Sequence, residues 1–579
     1  MATLDVERVR ALIGEDLLGD RSSHGDTAFV VRRTGIRRIA RALRDDATLQ
    51  FDMMMDLAGA DRSLLPPKDR VERFEVVYNL YSLWNGWRLR LCVPVPEADP
   101  FVDSVHDIWK AADWAEREAW DMFGIRFNGH PNLKRILCHH EFVGHPLRKD
   151  YDRTRGQWLS QLDTLEDELE MAHDRERETL RAQGNDPADS NIGERMLLNI
   201  GPSHPVTHGT LRVLVELEGE IIRTAIPEIG YLHRGFEKCA EKGSWNNVVP
   251  YASRLNYVSS LANDVAYVKA VEKLCGIEVP DRCKYIRVIV TELARIMDHV
   301  VCNGANIVDL GALTNFWYLF TVREKIYTIV EKLTGIRLTT AYTRVGGLSH
   351  DLYEGFEDEV RAMLKEIVPF LQDVIGLVKK NRIFMERTVG VGKISAEDAI
   401  AYGWTGPCLR ACGVPLDARK RDGYYFYDTF DFDVPVGENG DSFDRIMVRF
   451  EEVFQSIRII EQALDRLPGG PVNTDNNKFT LPPKKELFRD IEPLMNHFMI
   501  VMFGTPVPAG ETYDSFEVPN GELGFYLISD GKGKPYRMRV RPPCFYVYQP
   551  YVHIIKNGMM ADMAAILGSL NIVAGELDR

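Results

Sequence analysis

The sequence predicts an α+β protein in which strand pairs flank a central bundle of long helices. Three observations carry that expectation. "RFEVVYNLYSLWNGWRLRLCVPV" reads as two strands joined near Asn85-Gly86, the dipeptide of a type I′ hairpin. "YVSSLANDVAYVKAVEKLCG", "CKYIRVIVTELARIMDHVV", "FWYLFTVREKIYTIVEKLTG" and "LYEGFEDEVRAMLKEIVPFLQDVIGLV" follow one another with helical periods of roughly 20 residues each, which suits an antiparallel bundle. Near the end, "GELGFYLISDGKGKPYRMRVRPP" returns to strand alternation around a glycine-rich turn.

In chain order, "TGIRRIARALRDD" places Ile36, Ile39, Ala40 and Leu43 on one helical face, and the strand-like "LQFDMMMDL" follows. After the hairpin, residues 106–125 are helical in pattern and rich in tryptophan. The texture changes at 153–193. "WLSQLDTLEDELEMAHDRERETLRAQ" is charged, with Trp158, Leu162, Leu165 and Leu169 at helical spacing, and "GNDPADSN" (184–191) has the composition of a flexible break. An amphipathic helix with a solvated acidic face plus a linker is the expected structure. Beyond it, Leu211, Val213, Val215 and Leu217 alternate along a half-buried strand, and another long helix spans roughly 442–467. The expected division is an α+β domain at 1–152, a charged helical linker at 153–193 and a larger domain at 194–579, with no internal repeat.

A chain of 579 residues has room for about three domains. Its net charge of −14 argues against nucleic-acid binding. No apolar run approaches the ~20 residues that cross a bilayer, and the start lacks the pattern of a signal peptide, so any work at a membrane requires a partner as anchor. Nine cysteines lie scattered without a C-x-x-C pair, which suits buried small hydrophobes in a reducing compartment rather than disulfides, zinc or iron–sulfur ligation.

"NIGPSHPVTHG" (199–209) places His204 and His208 four apart. On a helix they could pinch a metal ion, but Pro205 pushes His204 toward extended backbone, while Gly201, Pro202 and Gly209 disfavour helix. With no intervening Glu and no third ligand, a zinc hydrolase is disfavoured. What remains is a tight loop presenting imidazoles, which titrate near neutral pH. On composition alone, the plainer reading is a pair of structural histidines. Glu116, Arg117, Glu118 and Asp121 form a charged helical patch suited to docking or packing, and His139 and His140 lack partners by spacing. Arg537, Arg539 and Arg541 share one strand face, either solvated or touching a neighbouring protein.

Further motifs occur in fixed order with that loop: "GPSHPVTHGTLR", "IGYLHRGFEK", "SRLNYVSSLANDVAY", "VDLGALT", "RVGGL" and "GPCLRACGV". Together they resemble the D (49-kDa-type) subunit of respiratory complex I, the proton-translocating NADH:quinone oxidoreductase. "EREAWDMFGIRFNGHPNLKRIL" and "GHPLRKDY" resemble its C (30-kDa-type) subunit, so the whole is similar to the fused C/D subunit of some bacteria. The resemblance implies a nickel–iron-hydrogenase-large-subunit-like fold for the second domain and a structural, docking role for the first. It implies that His208 and Tyr257 hydrogen-bond a quinone headgroup, that Asp309 pairs with the loop histidine, and that Arg254 lies beside the terminal iron–sulfur cluster of a partner. His204 is grouped with the quinone-binding residues, in a supporting role. No cofactor or metal is expected on this chain alone. Quinone (ubiquinone among the candidates) is the implied substrate, with FMN and the clusters that carry electrons from NADH on partner subunits. The implied partners are the B-type cluster-bearing subunit, the I- and E/F/G-type subunits and the membrane-arm H- and A-type subunits, at the cytoplasmic side of the bacterial inner membrane, peripherally.

A phenol and an imidazole suit quinone reduction, which adds two electrons and two protons, and a carboxylate behind the imidazole fixes its tautomer. An arginine favours the reduced, more negative cluster. Three positions depart from the family pattern: Asn256 and Asn571 stand where relatives often have Asp, and Thr339 where some carry His. Two other readings compete. A hydrogenase would need two cysteine pairs, yet Cys239 stands alone and Val573 and Gly575 occupy the second site. A scaffold of the same fold has no need for His208, Tyr257 and Asp309 together.

Overall fold

The computed structural model describes residues 4–67, 70–154, 156–185, 192, 194–207, 209–476 and 478–579. The first sheet runs in the order Leu17–Asp20, Ala28–Val31, Trp87–Val95, Phe74–Ser82 and Met53–Asp61, with antiparallel neighbours except for the parallel pair Ala28–Val31 and Trp87–Val95. The hairpin exists, but its turn differs from expectation. Ser82 pairs with Trp87, so the loop has four residues, and within Asn85-Gly86 the positive φ is carried by Gly86 alone, at 75°. A two-residue type I′ turn needs positive φ at both positions. Helix Ile36–Asp45 buries Ile36, Ile39, Ala40 and Leu43, the four residues its period selects. Helix Ala112–Phe123, shorter than the 106–125 pattern, packs on strand Met53–Asp61, where a Cβ on Gly59 would meet Phe123 at 2.4 Å.

In the 153–193 segment the helix spans only Glu166–Ala182. The 158–165 stretch is not helical, and Trp158 is fully exposed. The Asp163 side chain accepts the Leu165 N–H (3.0 Å), and Leu165 takes φ 61°, a local turn that helix cannot pass through. Most of the expected flexible break, residues 186–191, lies outside the described residues.

The larger part opens on a three-stranded antiparallel sheet, Met196–Ile200, Arg212–Glu218 and Ile221–Glu228. Its bundle comprises Ser260–Cys275, Asp281–Asp309, Leu313–Thr334, Phe356–Lys380 and Ser442–Asp465. Asp281–Asp309 is the central member, packed against Ser442–Asp465, Leu313–Thr334, Ser260–Cys275 and the late helix Asp562–Leu570. A helix covered on all sides buries its polar residues too, here Arg287, Glu292, Arg295, Asp298 and His299. No described helix is long and apolar enough to cross a membrane.

A last antiparallel sheet, Gly510–Val518, Gly521–Ser529 and Arg537–Arg541, lies against the first. Here both sequence expectations for Arg537, Arg539 and Arg541 are overturned, because all three are buried rather than solvated or presented to a neighbouring protein. Arg539 forks onto Asp56 (2.8 Å) and pairs with Glu118, Arg537 pairs with Glu237 (2.6 Å), and Arg541 donates to the Met55 and Gly403 carbonyls. The charged patch on Ala112–Phe123 is likewise internal. Glu118 binds Arg539 and Arg579, and Asp121 accepts Arg135 and the N–H groups of residues 136–138. Glu116 accepts Ser104 (2.5 Å) and the Val105 N–H, and burial pushes its carboxyl up to about 8.

Candidate functional site

The histidine loop is shaped by its glycines and prolines. Gly201 takes φ 85° where a Cβ would strike the Leu211 carbonyl at 1.9 Å, so only glycine lets the loop close against the following strand. Pro205–Thr207 then forms a single 3₁₀ turn instead of an α-helix, in keeping with the reading of its prolines and glycines. His204 holds that turn. Its Nδ1 accepts the Val206 N–H (3.2 Å), and its carbonyl accepts the Thr207 N–H and hydroxyl (3.1 and 2.8 Å). His208 lies outside the described residues. Among the described residues, no group of three or more His, Cys, Asp or Glu is placed to hold a metal ion.

The turn rests on helix Asp562–Leu570, which packs against Asp281–Asp309. That crossing is close. Asn306 donates to the Ala565 carbonyl (3.0 Å), and a Cβ on Gly568 would meet Asn306 Nδ2 at 2.3 Å. Asp309 is the last residue of the central helix and is exposed. Tyr257 begins a 3₁₀ turn that also packs on this helix, between buried Asn256 and buried Val258, yet it is 46% exposed. Partial burial and the negative Asp298 raise the Tyr257 phenol above its ordinary pKa, so it stays a proton donor at neutral pH. The central helix thus brings the Tyr257 turn and Asp309 onto one element, and the late helix ties that element to the histidine loop.

The final segment completes the site. A Cβ on Gly575 would lie 2.8 Å from the carbonyls of Arg254 and Leu255, so glycine permits this segment to pass directly beneath the Arg254–Tyr257 turn. The Asp578 carboxylate accepts the N–H groups of Gly230 and Leu232, pinning the "GYLHRG" loop. Arg254 is exposed and donates to the Pro250 carbonyl (2.7 Å), while Arg234 reaches the Arg254 carbonyl (3.1 Å). Thr339 is half-buried with φ 53°, a strained conformation for a β-branched residue.

Two family models match this chain: the respiratory-chain NADH dehydrogenase 30 Kd subunit over residues 29–157 and the 49 Kd subunit over 309–579. The C/D subunit of NADH-quinone oxidoreductase from Bdellovibrio bacteriovorus is 48% identical over 96% of this chain and 95% of its own length. The chain belongs to the fused C/D family of NADH-quinone oxidoreductase subunits. The C/D subunit from Acidiphilium cryptum is 41% identical over 95% of this chain and 93% of its own length. The D 1 subunit from Sorangium cellulosum is 53% identical over 66% of this chain and 96% of its own length, as a relative of the second part alone would be.

Two carboxyl groups of this family member escaped the sequence reading. Asp298 lies behind the Tyr257 turn and accepts Asn256 Nδ2 (2.7 Å) and Asn571 Nδ2 (2.8 Å). Glu576 accepts the Cys544 N–H (2.9 Å), and burial pushes its carboxyl up to about 7. No local sequence signal marks Asp298, because the two amides that bind it come from positions 42 residues before it and 273 residues after it. The described cysteines are free, and burial pushes the thiols of Cys302 and Cys412 up to about 12, so both are protonated at neutral pH.

Proposed function

We propose that this chain forms one wall of a quinone-reducing cavity within NADH:quinone oxidoreductase, with Tyr257 and His208 as the headgroup ligands and Asp309 as the carboxylate behind the imidazole. The observation that supports this most is the exposed Tyr257 phenol, raised on a turn of otherwise buried residues and packed on the helix that ends in Asp309. Quinone takes up two electrons and two protons to become quinol. In this reading the phenol O–H donates toward one quinone oxygen and the imidazole toward the other, and both recover their protons from solvent. An iron–sulfur cluster of the B-type partner, fed from NADH through FMN, supplies the electrons. Arg254 stands on that side as a fixed cation, and His204 supports the loop.

Exposed apolar residues close in sequence to these groups, Tyr251, Leu313, Trp317 and Tyr318, and Tyr231 and Leu232 on the loop pinned by Asp578, suit a covering partner rather than water. Helix Ile491–Phe503, with Leu494, Phe498, Val501 and Phe503 exposed, is a second surface of that kind. The I-, E/F/G-, H- and A-type subunits are the remaining partners in this proposal. It places the assembly peripherally at the cytoplasmic face of the inner membrane, and divides the chain into a docking part (1–152), a linker (153–193) and a quinone-site part (194–579).

The test is assembly-normalised quinone reductase activity of the whole complex. Tyr257→Phe and His208→Ala are expected to assemble, to keep NADH oxidation by a water-soluble artificial acceptor, and to lose quinone turnover by about 100-fold. Full quinone turnover in both variants refutes the proposal.

A further inference from the structure

The Asp298 carboxyl joins three separate parts of the chain. It projects from the central helix Asp281–Asp309, is 2% exposed, and receives one amide on each oxygen: Asn256 Nδ2 on Oδ1 (2.7 Å) and Asn571 Nδ2 on Oδ2 (2.8 Å). The orientation of Asn256 is fixed from both sides, because its own Oδ1 accepts the Val258 N–H that caps the Tyr257 turn (3.2 Å). Its backbone carbonyl is held by Asn263 Nδ2 (2.9 Å). Asn571 ends helix Asp562–Leu570 at φ 56° and donates a second bond to Asn520 Oδ1 (2.5 Å), whose Nδ2 faces Glu576 (3.5 Å). Both amides therefore present N–H groups to Asp298, and only an acceptor on each side satisfies them.

We propose that Asp298 is a positioning residue for quinone reduction, fixing the Tyr257 turn through Asn256. This rests on the reading of Tyr257 given above, and on the geometry in which the amides of residues 256 and 571 converge on a single carboxylate.

The surroundings define the titration. Burial raises the Asp298 carboxyl above its usual range, and His299, the two amides and Arg449 work in the opposite direction. His299 Nδ1 lies 3.9 Å from Asp298 Oδ2, and its Nε2 is engaged by Glu452 (2.8 Å). Glu576, Cys302 and Cys544 also feel this charge, as does Tyr257. Once ionised, Asp298 opposes formation of a tyrosinate.

The experiment exchanges the two ends of one hydrogen bond in the assembled complex. Asp298→Asn sets amide against amide, and Asn571→Asp sets carboxylate against carboxylate. Each is expected to lower quinone turnover by about tenfold while artificial-acceptor activity is retained. The double variant D298N/N571D restores donor-to-acceptor pairing and is expected to return to within about threefold of wild type. The alkaline limb of the turnover–pH profile should fall by about half a unit or more in D298N, which lacks the charge opposing tyrosinate, and should move back in the double variant. Wild-type turnover with an unmoved limb in D298N overturns the inference, as does a double variant no better than the single ones, whether through activity or through failed assembly. Tyr257→Phe run in parallel separates the two ideas: if it is inactive while D298N behaves as wild type, only the role of Asp298 is refuted.

Discussion

Arg539→Met tests the ionic joint between the two sheets. The guanidinium forks onto Asp56 (2.8 Å) and pairs with Glu118, with Glu237 at 3.7 Å. Removing it does not orphan all three carboxylates. Glu118 keeps Arg579 and Glu237 keeps Arg537, so Asp56 alone is left without a cation, holding only the Tyr546 hydroxyl (2.9 Å). Breaking a buried pair from one side costs about 3–5 kcal/mol. Denaturant unfolding of the full chain, followed by circular dichroism, measures it. Asp56→Asn combined with Arg539→Met should recover most of the loss, because a neutral amide is far cheaper to bury. A deficit below about 1 kcal/mol, or one that the second substitution does not relieve, refutes the reasoning.

Two further outcomes follow from buried groups. Glu116 has its carboxyl raised to about 8, so the folded state binds the extra proton between the ordinary glutamate range and that value. Wild-type stability should therefore fall as pH rises through this window, by up to about 1.4 kcal/mol per pH unit, and Glu116→Gln should flatten that dependence in unfolding at pH 6 and 7.5. Gly568→Ala puts a Cβ where Asn306 Nδ2 lies 2.3 Å away, so either Asn306 swings off the Ala565 carbonyl or the two helices part. A loss of about 1–3 kcal/mol in thermal unfolding is expected, with lower quinone turnover because the helix it displaces carries Asp298 and Asp309.

Local periodicity is the part of this molecule that its sequence makes legible. Ile36, Ile39, Ala40 and Leu43 are all buried, and each long periodic segment of the bundle is a helix, because burial of an apolar stripe is decided within a few turns. The turn at Leu83–Gly86 and the late start of helix Glu166–Ala182 were misread because one side chain or one φ angle decides them, and periodicity carries neither. Motif resemblance singled out Tyr257 and Asp309, whose local sequence alone would mark a core aromatic and a helix end. Asn256 and Asn571 were visible as departures, but that both point at Asp298 requires the fold, since the three lie far apart in the chain.

The arginine strand shows why such errors concentrate on charge. Alternation in "RMRVR" correctly places Arg537, Arg539 and Arg541 on one face, but the sign of burial depends on what opposes them, and Asp56, Glu118 and Glu237 come from distant segments. The consequence reaches the site. Arg579, two residues beyond Leu577, binds Glu118 of the first domain, and the segment it anchors passes beneath Arg254 and Leu255 at Gly575. Through Glu118 the first domain thereby holds the stretch of polypeptide on which the Tyr257 turn is seated, a dependence that neither segment reveals on its own.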